Sequence, residues 1–366
     1  MRKLATIRAI SKVMPIKGKD RIELAVVDGW TCMVSKADGF KEGSLCVFCE
    51  PDSVFPPKEQ WEFLKKYNYR IKTQKFKDSD GNAIYSQGLV LPLTIPQMKV
   101  QSNLMVGRDV TDLLEITQYE PTMDIDTSSL PKKKYPEWLM RYAWFRKLVL
   151  PKKTSCAWPS FICKTDEERI QNCPDIVNLE TKWIATEKVD GQSGSFAVVR
   201  HKHFLWNTYE FIVCSRNMRK PHPDNTSYWQ VAKKYNLKEA LIGYLKSHKD
   251  LEWVALQGEC VAPNVQGNKY KVKEADLYVF NLIDSKYGRY NSLTAKTILE
   301  GMNIKFVPIV DYDIDLHDLT VEQLLQYATG KSKLVDGLRE GIVFRSTDGR
   351  HSFKAVNPEF LIKHNE

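Results

Sequence analysis

The sequence contains no long apolar run. Nowhere in its 366 residues do about 18 apolar residues follow one another, as a membrane-spanning helix requires. The opening MRKLATIRAI has a basic pair but lacks the apolar stretch of a signal peptide. Tracts of low complexity and repeats at a solenoid period are missing too, which excludes fibrous and repeat architectures. These absences predict a soluble intracellular protein, of the cytoplasm or nucleus, with no membrane partner.

The eight cysteines form no framework. They are scattered along the chain, and Cys46-x-x-Cys49 has no second pair or nearby histidine at zinc-binding spacing. In a strand, Cys46 and Cys49 would point to opposite faces. His201-x-His203 is better explained as the end of a hairpin than as a metal site. We therefore expect reduced thiols and no zinc.

The composition is that of a globular protein with more than one domain. Hydrophobic residues make up 43% of the chain and charged residues 27%, so full-sized cores can form and disorder is excluded. A length of 366 residues suits two domains, or three.

The net charge of +9 is concentrated in one segment. Residues 1–130 and 154–366 each have a net charge of +1, whereas residues 131–153 contain eight basic residues and one acidic residue, Glu137. A positive field concentrated in this way indicates a polyanionic partner.

Residues 1–116 are predicted to form a small β-barrel. Runs of apolar and β-branched residues, such as LATIRAISKVMPI and GSLCVFCE, are separated by glycine and proline. Short strands in a unit of about 110 residues favour a Greek-key barrel, of which the OB-fold is a nucleic-acid-binding example.

A basic and aromatic segment, residues 58–77, interrupts these strands. It has seven basic and two acidic residues, interleaved with five aromatic side chains. In a groove for a nucleic-acid strand, the charges would contact the backbone and the rings would stack on bases. This makes Lys65, Lys66 and Arg70 candidate nucleic-acid contacts. The alternative is a helix across the barrel opening, with its aromatic side chains inward and its lysines in solvent.

Residues 117–156 are predicted to be a basic linker that contains a helix. Aromatic and apolar residues from Trp138 to Val149 repeat at spacings of 4, 3 and 4, which is typical of one helix face. The helix would either grip phosphates or pack as a bridge on the next domain. The flanking candidates for nucleic-acid contact are Lys132, Lys133, Lys134, Lys152 and Lys153.

Residues 157–366 are predicted to form an α+β domain built on antiparallel sheets. KWIATEKVDG, EWVALQGECV and DLYVFNLID are typical of strands. YWQVAKKYNLKEALIGYLKSH and TVEQLLQYATGK are typical of helices. Strands and helices that alternate in this way favour a mixed domain.

The most informative short motif is Lys188-Val189-Asp190-Gly191, directly after a strand-like run. A lysine amine becomes a nucleophile where its surroundings lower its pKa, so Lys188 is a candidate catalytic residue. Because Asp-Gly is also a common turn pair, the motif alone is equally compatible with a β-hairpin.

Further motifs follow Lys188 along the chain. They are Ser215-Arg216-Asn217, Gln257-Gly258-Glu259, Gly267-Asn268-Lys269-Tyr270, Tyr278-Val279-Phe280, Glu340-Gly341-Ile342-Val343-Phe344-Arg345 and Ser352-Phe353-Lys354. In this order, the set resembles the covalent nucleotidyltransferase superfamily of ATP-dependent ligases and capping enzymes. There the K-x-D-G lysine takes a nucleoside monophosphate, and the later motifs complete the pocket.

The residue types also suit phosphoryl transfer. The reaction needs a nucleophile, cations over the phosphates and hard oxygen ligands for Mg²⁺ or Mn²⁺. Lys188 is the candidate nucleophile, and Lys354 is the candidate phosphate clamp, which would also lower the Lys188 pKa. The candidate catalytic carboxylates, which would hold the metal through water, are Asp190, Glu259 and Glu340.

Other candidates for ATP or AMP binding are assigned by their motifs. Phe280 would stack on a purine, although a strand phenylalanine seen alone is a core residue. Arg216 would hold ribose or an incoming phosphate, although alone it would be a surface charge. The remaining candidates are Glu187, Gly191, Arg169 and Lys269.

The order of the domains narrows the resemblance. Capping enzymes and most DNA ligases carry an OB domain after the last lysine motif, where this sequence has 12 residues. A barrel that precedes the catalytic domain, with PIKGKDRIELAVVDGW and LQGECVAPNVQGNKY, is similar to the Deinococcus-type RNA ligases. The resemblance implies an α+β protein, with an N-terminal OB-like β-barrel followed by an ATP-grasp-like, antiparallel-sheet nucleotidyltransferase domain.

One motif departs from the family pattern. RNA ligases usually end with K-x-K, whereas Ser352 and Val356 stand at that spacing from Lys354. Either one lysine suffices, or another cation such as Lys269 or Arg169 takes the second role. Arg169 would then contact the β or γ phosphate of ATP.

The resemblance implies an ATP-dependent RNA ligase. Lys188 would take AMP from ATP and pass it to a 5′-phosphate end, and a 3′-hydroxyl would then displace the AMP. The implied requirements are ATP, Mg²⁺ or Mn²⁺, and RNA with nicked or broken ends, including RNA/DNA duplexes; the chain is expected to act as a monomer. A capping guanylyltransferase, a DNA ligase and a non-catalytic OB-type nucleic-acid-binding protein are the alternatives.

Replacing Lys132, Lys133, Lys134, Lys152 and Lys153 with serine should weaken RNA sealing by roughly tenfold or more and leave self-adenylylation unchanged, because these charges would act on the nucleic acid and not on ATP. Label transfer from ATP and sealing of a labelled nicked duplex would be measured on the same preparations. An equal loss of both activities would contradict an RNA-binding role for this segment.

Overall fold

The computed structural model describes residues 3–99, 104–119, 157–220 and 223–364. The protein is α+β, as predicted, with an N-terminal OB-fold half-barrel followed by a domain of antiparallel sheets. The candidate lysines at 132–134, 152 and 153, and the helix predicted from Trp138 to Val149, lie outside the described residues. Within the described ranges, no helix is long and apolar enough to cross a membrane.

The N-terminal part is built from short strands. They are β1 (Ala5–Pro15), β2 (Ile22–Val27), β3 (Trp30–Ser35), β4 (Leu45–Cys49), β5 (Ser53–Val54), β6 (Gln74–Lys77), β7 (Ala83–Ser86), β8 (Leu89–Pro92) and β9 (Thr117–Gln118). A five-stranded antiparallel sheet has the order β3-β2-β1-β4-β8, while β5 pairs with β9 and β6 with β7. Helix α1 (Pro96–Lys99) and 3₁₀ helices at Lys36–Asp38 and Glu59–Tyr67 lie between the strands.

Strand β1 is the centre of this sheet because it pairs along its length with two different strands. Its first half pairs with β4 and its second half with β2, and the register shifts between Ile10 and Lys12. A register shift of this kind bends a strand and increases its twist. Strand β1 can therefore follow the curvature of a half-barrel.

The two cysteines of β4 lie in different cores. Cys46 packs with Trp30 and Phe48, whereas Cys49 packs with Phe55 and its neighbours. The prediction that these thiols point to opposite faces is confirmed.

The basic and aromatic segment forms a short helix. In the 3₁₀ helix Glu59–Tyr67, Trp61 is buried against Phe55, while Lys65 and Lys66 are exposed. Trp61 and the lysines match the alternative of a helix with inward aromatic side chains and solvated lysines, whereas Phe63 departs from it, since it is 53% exposed.

Arg70 is buried in the packing of the OB-fold part. Its guanidinium forms an ion pair with Asp52 at 2.7 Å and lies 3.5 Å from the ring centre of Tyr119. Contrary to the expectation from the sequence, Arg70 is therefore held by neighbouring side chains and is not presented to a nucleic acid.

The C-terminal part contains two antiparallel sheets. Its strands are β10 (Trp183–Lys188), β11 (Gln192–Lys202), β12 (Asn207–Cys214), β13 (Trp253–Val261), β14 (Asp276–Asp284), β15 (Gly288–Arg289), β16 (Ile309–Ile314), β17 (Gly341–Ser346) and β18 (Ser352–Val356). Its helices are α2 (Ser227–Lys234), α3 (Leu237–Ser247), α4 (Ser292–Gly301), α5 (Val321–Ala328) and α6 (Pro358–His364), with 3₁₀ helices at Ile170–Asn172, Pro174–Asn178 and Gln266–Asn268. One sheet has the order β16-β10-β17-β18 and the other β12-β11-β13-β14-β15.

Each sheet has its own layer of helices. Helices α2, α3 and α4 share a core with the larger sheet, and α5 shares a core with the smaller sheet. The helical stretch that the sequence predicts from Tyr228 to His248 is two helices, because Asn236 takes a left-handed conformation with φ of 47° between them. Strands β10 and β11 belong to different sheets, so Asp190-Gly191 connects two sheets and the β-hairpin alternative is wrong.

Asn172 forms four side-chain hydrogen bonds, of which three join the OB-fold part to the C-terminal part and one is to Glu168. Its carbonyl oxygen accepts from the Trp30 indole at 2.7 Å and from the Arg8 guanidinium at 3.1 Å. Its amide donates to the carboxylates of Glu50 at 2.7 Å and Glu168 at 2.6 Å. Two bonds to the oxygen and two from the NH₂ group use the full capacity of the side chain.

The segment that holds Asn172 also contacts β18. The Lys354 N–H donates to the Glu168 carbonyl oxygen at 2.8 Å, and Arg169 forms a parallel bridge with Lys354. On its other side, the Gly29 N–H donates to the Gln171 carbonyl oxygen, and a Cβ at Gly29 would lie 2.8 Å from the Gln171 Cα. One short segment therefore links the OB-fold sheet to the strand that carries Lys354.

Asn172→Ala should lower the free energy of unfolding by about 3 kcal/mol, because the buried Trp30 N–H and the buried Glu50 carboxylate would each lose a partner at about 1–3 kcal/mol. Urea denaturation followed by tryptophan fluorescence would measure the change. Asn178→Ala, at an exposed position of the next 3₁₀ helix, is the matched control and should change stability by less than about 0.5 kcal/mol. Equal midpoints for the two variants would contradict the importance of Asn172.

Candidate active site

A cavity of about 850 Å³ opens between the two sheets of the C-terminal part. Strands β10, β17 and β18 contribute one wall, and β11, β13 and β14 contribute the other. The candidate catalytic and ATP-binding residues that line it are Glu187, Lys188, Gly191, Arg216, Glu259, Lys269, Phe280 and Lys354. Folding therefore gathers residues from motifs that are far apart in the chain.

Lys188 and Glu340 meet because their strands are paired. Lys188 ends β10 and lies opposite the first residue of β17, which Glu340 directly precedes. The Lys188 amine lies 2.7 Å from each carboxylate oxygen of Glu340. The amine at the end of β10 is thus held by a bidentate contact to the residue that precedes the neighbouring strand.

The carboxylates of the cavity control the charge of Lys188. Burial alone would lower the pKa of its amine, but the neighbouring carboxylates outweigh burial and raise the pKa; they belong to Glu340, Glu259 and Asp190. In this state the amine is an ammonium ion. The expectation that Lys354 would keep the Lys188 pKa low is therefore wrong for this arrangement.

The pKa of the Glu259 carboxyl is raised mainly because the group is shielded from water. Burial raises its pKa to about 8; the Lys188 ammonium opposes this rise, and the Glu340 and Asp190 carboxylates add to it. Asp190 has its own cation, because its carboxylate pairs with the Lys269 ammonium.

The three carboxylates predicted as metal ligands are occupied by lysines or lie apart. Glu340 holds Lys188 and Asp190 holds Lys269. In the part of the chain that the structure describes, no three His, Cys, Asp or Glu side chains converge at metal-binding spacing. Glu259 nevertheless lines the cavity, and hard carboxylate oxygens of this kind fit a divalent cation bound through water.

Two motif glycines stand where backbones approach closely. A Cβ at Gly191 would lie 2.6 Å from the Cys260 carbonyl oxygen, closer than real side chains come. A Cβ at Gly341 would collide in the same way with the Ala355 carbonyl oxygen on β18. The glycines of K-x-D-G and E-G are therefore required by strand packing next to the two catalytic candidates.

Glu187 lines the cavity, but its carboxylate is used by a loop. It accepts hydrogen bonds from the Lys333 N–H at 2.7 Å and from the Ser332 hydroxyl. Glu187 thus fixes the loop that leads to Glu340, and this contact departs from the expectation that Glu187 binds nucleotide.

Arg169 lies at the domain junction and does not line the cavity. Its guanidinium lies 5.6 Å from the ring centre of Trp30 and 3.8 Å from the Asp52 carboxylate. This placement departs from the expectation that Arg169 reaches the phosphates of ATP. Of the two cations offered for the missing second lysine, Lys269 lines the cavity.

The cavity contains further charged residues that the sequence analysis did not select. Buried Arg345 lies 5.6 Å from the ring centre of Phe280 and donates to the Thr186 hydroxyl at 2.9 Å. Its position in E-G-I-V-F-R was the signal for it. Asp166 pairs with Arg216 at 2.6 Å. The other residues that no motif indicated include Glu167, Lys271 and His364.

Two family models match the chain. An OB-fold domain family matches residues 4–93, and the RNA ligase family matches residues 181–358. No curated protein sequence matches it.

Solved structures of Naegleria gruberi RNA ligase are similar over the whole chain. A mutant with ATP and Mn is 31% identical, with a TM-score of 0.77 and coverage of 100% of this chain and 98% of that chain. A mutant with AMP and Mn is 32% identical, with a TM-score of 0.78 and coverage of 100% and 99%. A structure with pyrophosphate is 32% identical, with a TM-score of 0.77 and the same coverage of 100% and 99%.

The similarity thus extends through the OB-fold sheet, the domain junction and both sheets around the cavity, at an identity that is maintained over nearly the full length of each relative. The chain therefore belongs to the RNA ligase family, in the nucleotidyltransferase superfamily, with an N-terminal OB-fold domain.

Proposed function

We propose that the chain is an ATP-dependent ligase that seals 3′-hydroxyl and 5′-phosphate RNA ends in nicked duplexes, like the Deinococcus-type RNA ligases. The observation that carries the proposal is the Lys188 amine, held 2.7 Å from Glu340 in a cavity lined by cations from both sheets. In a chain of the RNA ligase family, that amine is the group placed to accept AMP.

In the first step, the Lys188 nitrogen forms a bond to the α-phosphorus of ATP, and the bond from that phosphorus to the pyrophosphate oxygen breaks. The amine must lose a proton to attack, and the Glu340 carboxylate is the acceptor nearest to it. Pyrophosphate leaves, and AMP stays attached to Lys188 through the new phosphorus–nitrogen bond.

The cavity offers separate surfaces for the parts of ATP. Phe280 would stack on the adenine, and Arg345 lies against the Phe280 ring. Lys354 and Lys269 would hold the phosphates, and Arg216 the ribose or the incoming 5′-phosphate.

A divalent cation would be held through water by the carboxylates of Glu259, Glu340 and Asp190. Manganese accompanies ATP and AMP in the Naegleria relatives, and Mg²⁺ or Mn²⁺ would stabilise the negative charge on the transferred phosphoryl group. On this chain, the three carboxylates would orient the ion and Lys188 together.

In the later steps, the 5′-phosphate of RNA takes the AMP from Lys188, and the 3′-hydroxyl then attacks that phosphate with release of AMP. We propose that residues 1–116 and the basic residues 117–156 hold the nucleic acid while residues 157–366 carry out the chemistry. The exposed side chains of Lys65 and Lys66 are available for phosphate contacts on the OB-fold part.

Lys188→Ala should abolish transfer of label from α-labelled ATP to the protein, because it removes the amine that is held beside Glu340. Denaturing electrophoresis after incubation with Mg²⁺ or Mn²⁺ would show the labelled chain, with GTP in a parallel reaction. Lys182→Ala, at an exposed lysine just before β10, is the matched control and should label like the wild type. Label from GTP would indicate capping chemistry, and no label in protein free of bound AMP would overturn the proposal.

Lys269→Ala should slow self-adenylylation by a factor on the order of 100, as expected for loss of a preorganised charge at the phosphates. Arg169→Gln, at the domain junction, should change the rate less than threefold. Single-turnover labelling of both variants would be compared, with melting temperatures measured to confirm that each is folded. A larger effect at Arg169 than at Lys269 would reassign the second cation to Arg169.

A further inference from the structure

A hydrophobic tip projects from the hairpin of β11 and β12. The four-residue loop 203–206 is closed by a hydrogen bond from the His203 N–H to the Trp206 carbonyl oxygen at 2.9 Å. Phe204 is fully exposed, Leu205 is 77% exposed and Trp206 is 61% exposed. Turns usually carry Gly, Asn, Asp or Pro, and contiguous exposed apolar side chains mark interaction sites. We call residues 203–206 the aromatic tip.

Two rings of this tip contact each other. The imidazole of His203 stacks on the Trp206 indole, with ring centres 5.9 Å apart and planes 29° apart. His203 also contacts the Thr208 hydroxyl at 3.0 Å. An ordered indole at a loop end presents a flat face for stacking at little cost in side-chain entropy.

A depression of about 290 Å³ lies beside the tip, and we call it the basic depression. The residues that line it are Arg200, Lys202, Asn207, Tyr209, Lys246 and Lys249. The three lysines are exposed. Of the acidic groups nearby, Glu210 pairs with Arg219 and Asp250 with Lys286, and Glu252, opposite Arg200 in the sheet, offsets only one of the four positive charges. The depression is therefore positively charged.

Arg200 is the buried residue at the base of this depression. It is more than nine-tenths buried and donates to the main-chain carbonyl oxygens of Leu245, His248 and Lys249, which fixes its guanidinium against the end of α3. Its guanidinium thus adds a fixed positive charge beneath the three exposed lysines.

The combination of positive charges and exposed rings favours RNA as the ligand of this site. A fixed guanidinium and three lysines match phosphates, and an adjacent indole and phenyl ring match bases, which is how single-stranded segments are bound. The positive charge favours a phosphate polymer over a neutral protein surface.

The site is far from the catalytic cavity. Strand β11 begins at Gln192, which lines that cavity, and ends at Lys202 in the depression. At about 3.3 Å per residue, ten steps along the strand span about 33 Å. Arg200 and Lys202 lie on the face of the sheet that packs on α3, whereas Ser193 and Glu259 line the cavity on the other face. At roughly 3.4 Å per nucleotide step, a strand from the cavity would pass around the end of the β11–β12 hairpin and reach the site after no fewer than about ten nucleotides.

We propose that the aromatic tip and the basic depression form a second RNA-binding site. This site binds the substrate strand about ten nucleotides from the joined ends. This inference rests on the proposed function, since the RNA is the ligase substrate. It predicts a dependence on substrate length that the catalytic cavity alone would not produce.

Two full-length variants test the site, one with Phe204→Ser, Leu205→Ser and Trp206→Ser, and one with Lys202→Ser, Lys246→Ser and Lys249→Ser. Arg200 is kept because it anchors α3. The matched control replaces three exposed apolar residues elsewhere in the domain: Leu179→Ser, Leu293→Ser and Tyr312→Ser.

Fluorescence anisotropy would measure the affinity of each protein for nicked duplexes with arms of 6 base pairs on either side of the nick. The short substrate has blunt ends, and in the long substrate each arm ends in a single-stranded overhang of 12 nucleotides, so that the position about ten nucleotides from the nick is single-stranded. Both site variants should bind the long substrate roughly tenfold more weakly than wild type, and the short substrate equally well. The lysine variant should also lower the slope of log affinity against log salt by about 2–3. The control should match wild type on both substrates.

Self-adenylylation with labelled ATP separates the two hypotheses. It should be unchanged in both site variants, and its absence from the wild type would overturn the proposed function instead. Equal affinity of wild type and both variants for the long substrate would overturn the second RNA site. Vesicles with anionic lipids would be tested in parallel, and loss of vesicle binding without loss of RNA binding would assign the tip to a membrane and overturn the proposal.

Discussion

The structure of the site depends on one half-buried lysine amine at the cavity between two sheets. An ammonium that is partly removed from water is costly unless carboxylates compensate it, and here Glu340 contacts Lys188 with both of its oxygens. Strand β17 must therefore begin at the level where β10 ends, which the pairing of the two strands provides. The glycine that follows Glu340 lets β18 approach, so that Lys354 faces the same cavity.

The charged side chains around the cavity suit a charged substrate. The carboxylates around Lys188 raise the pKa of its amine. Arg345 and Lys354 face the cavity from the same sheet as Lys188. A nucleotide with a divalent ion would meet both sets of charges, because phosphates match the cations and the ion matches the carboxylates.

The OB-fold part is connected to this cavity by a direct physical route. Asn172 is saturated with hydrogen bonds to the OB-fold sheet and to Glu168, whose carbonyl oxygen accepts from the Lys354 backbone. A shift of the OB-fold domain would therefore be transmitted to the strand that carries a phosphate-binding lysine. Arg169 belongs to this junction, which explains why its side chain faces Trp30 and not the cavity.

The sequence by itself determined the fold class, the family and the motifs that meet in the cavity, because apolar periodicity sets the strands and because Lys188, Glu340 and Lys354 sit in short motifs with few alternative explanations. It did not determine the surroundings of single side chains. That Arg70 is buried, that Glu187 binds a loop and that the Lys188 pKa is raised follow from contacts between residues far apart in the chain. Only the tertiary structure decided these, since burial and charge pairing depend on which surfaces meet and no local pattern encodes them.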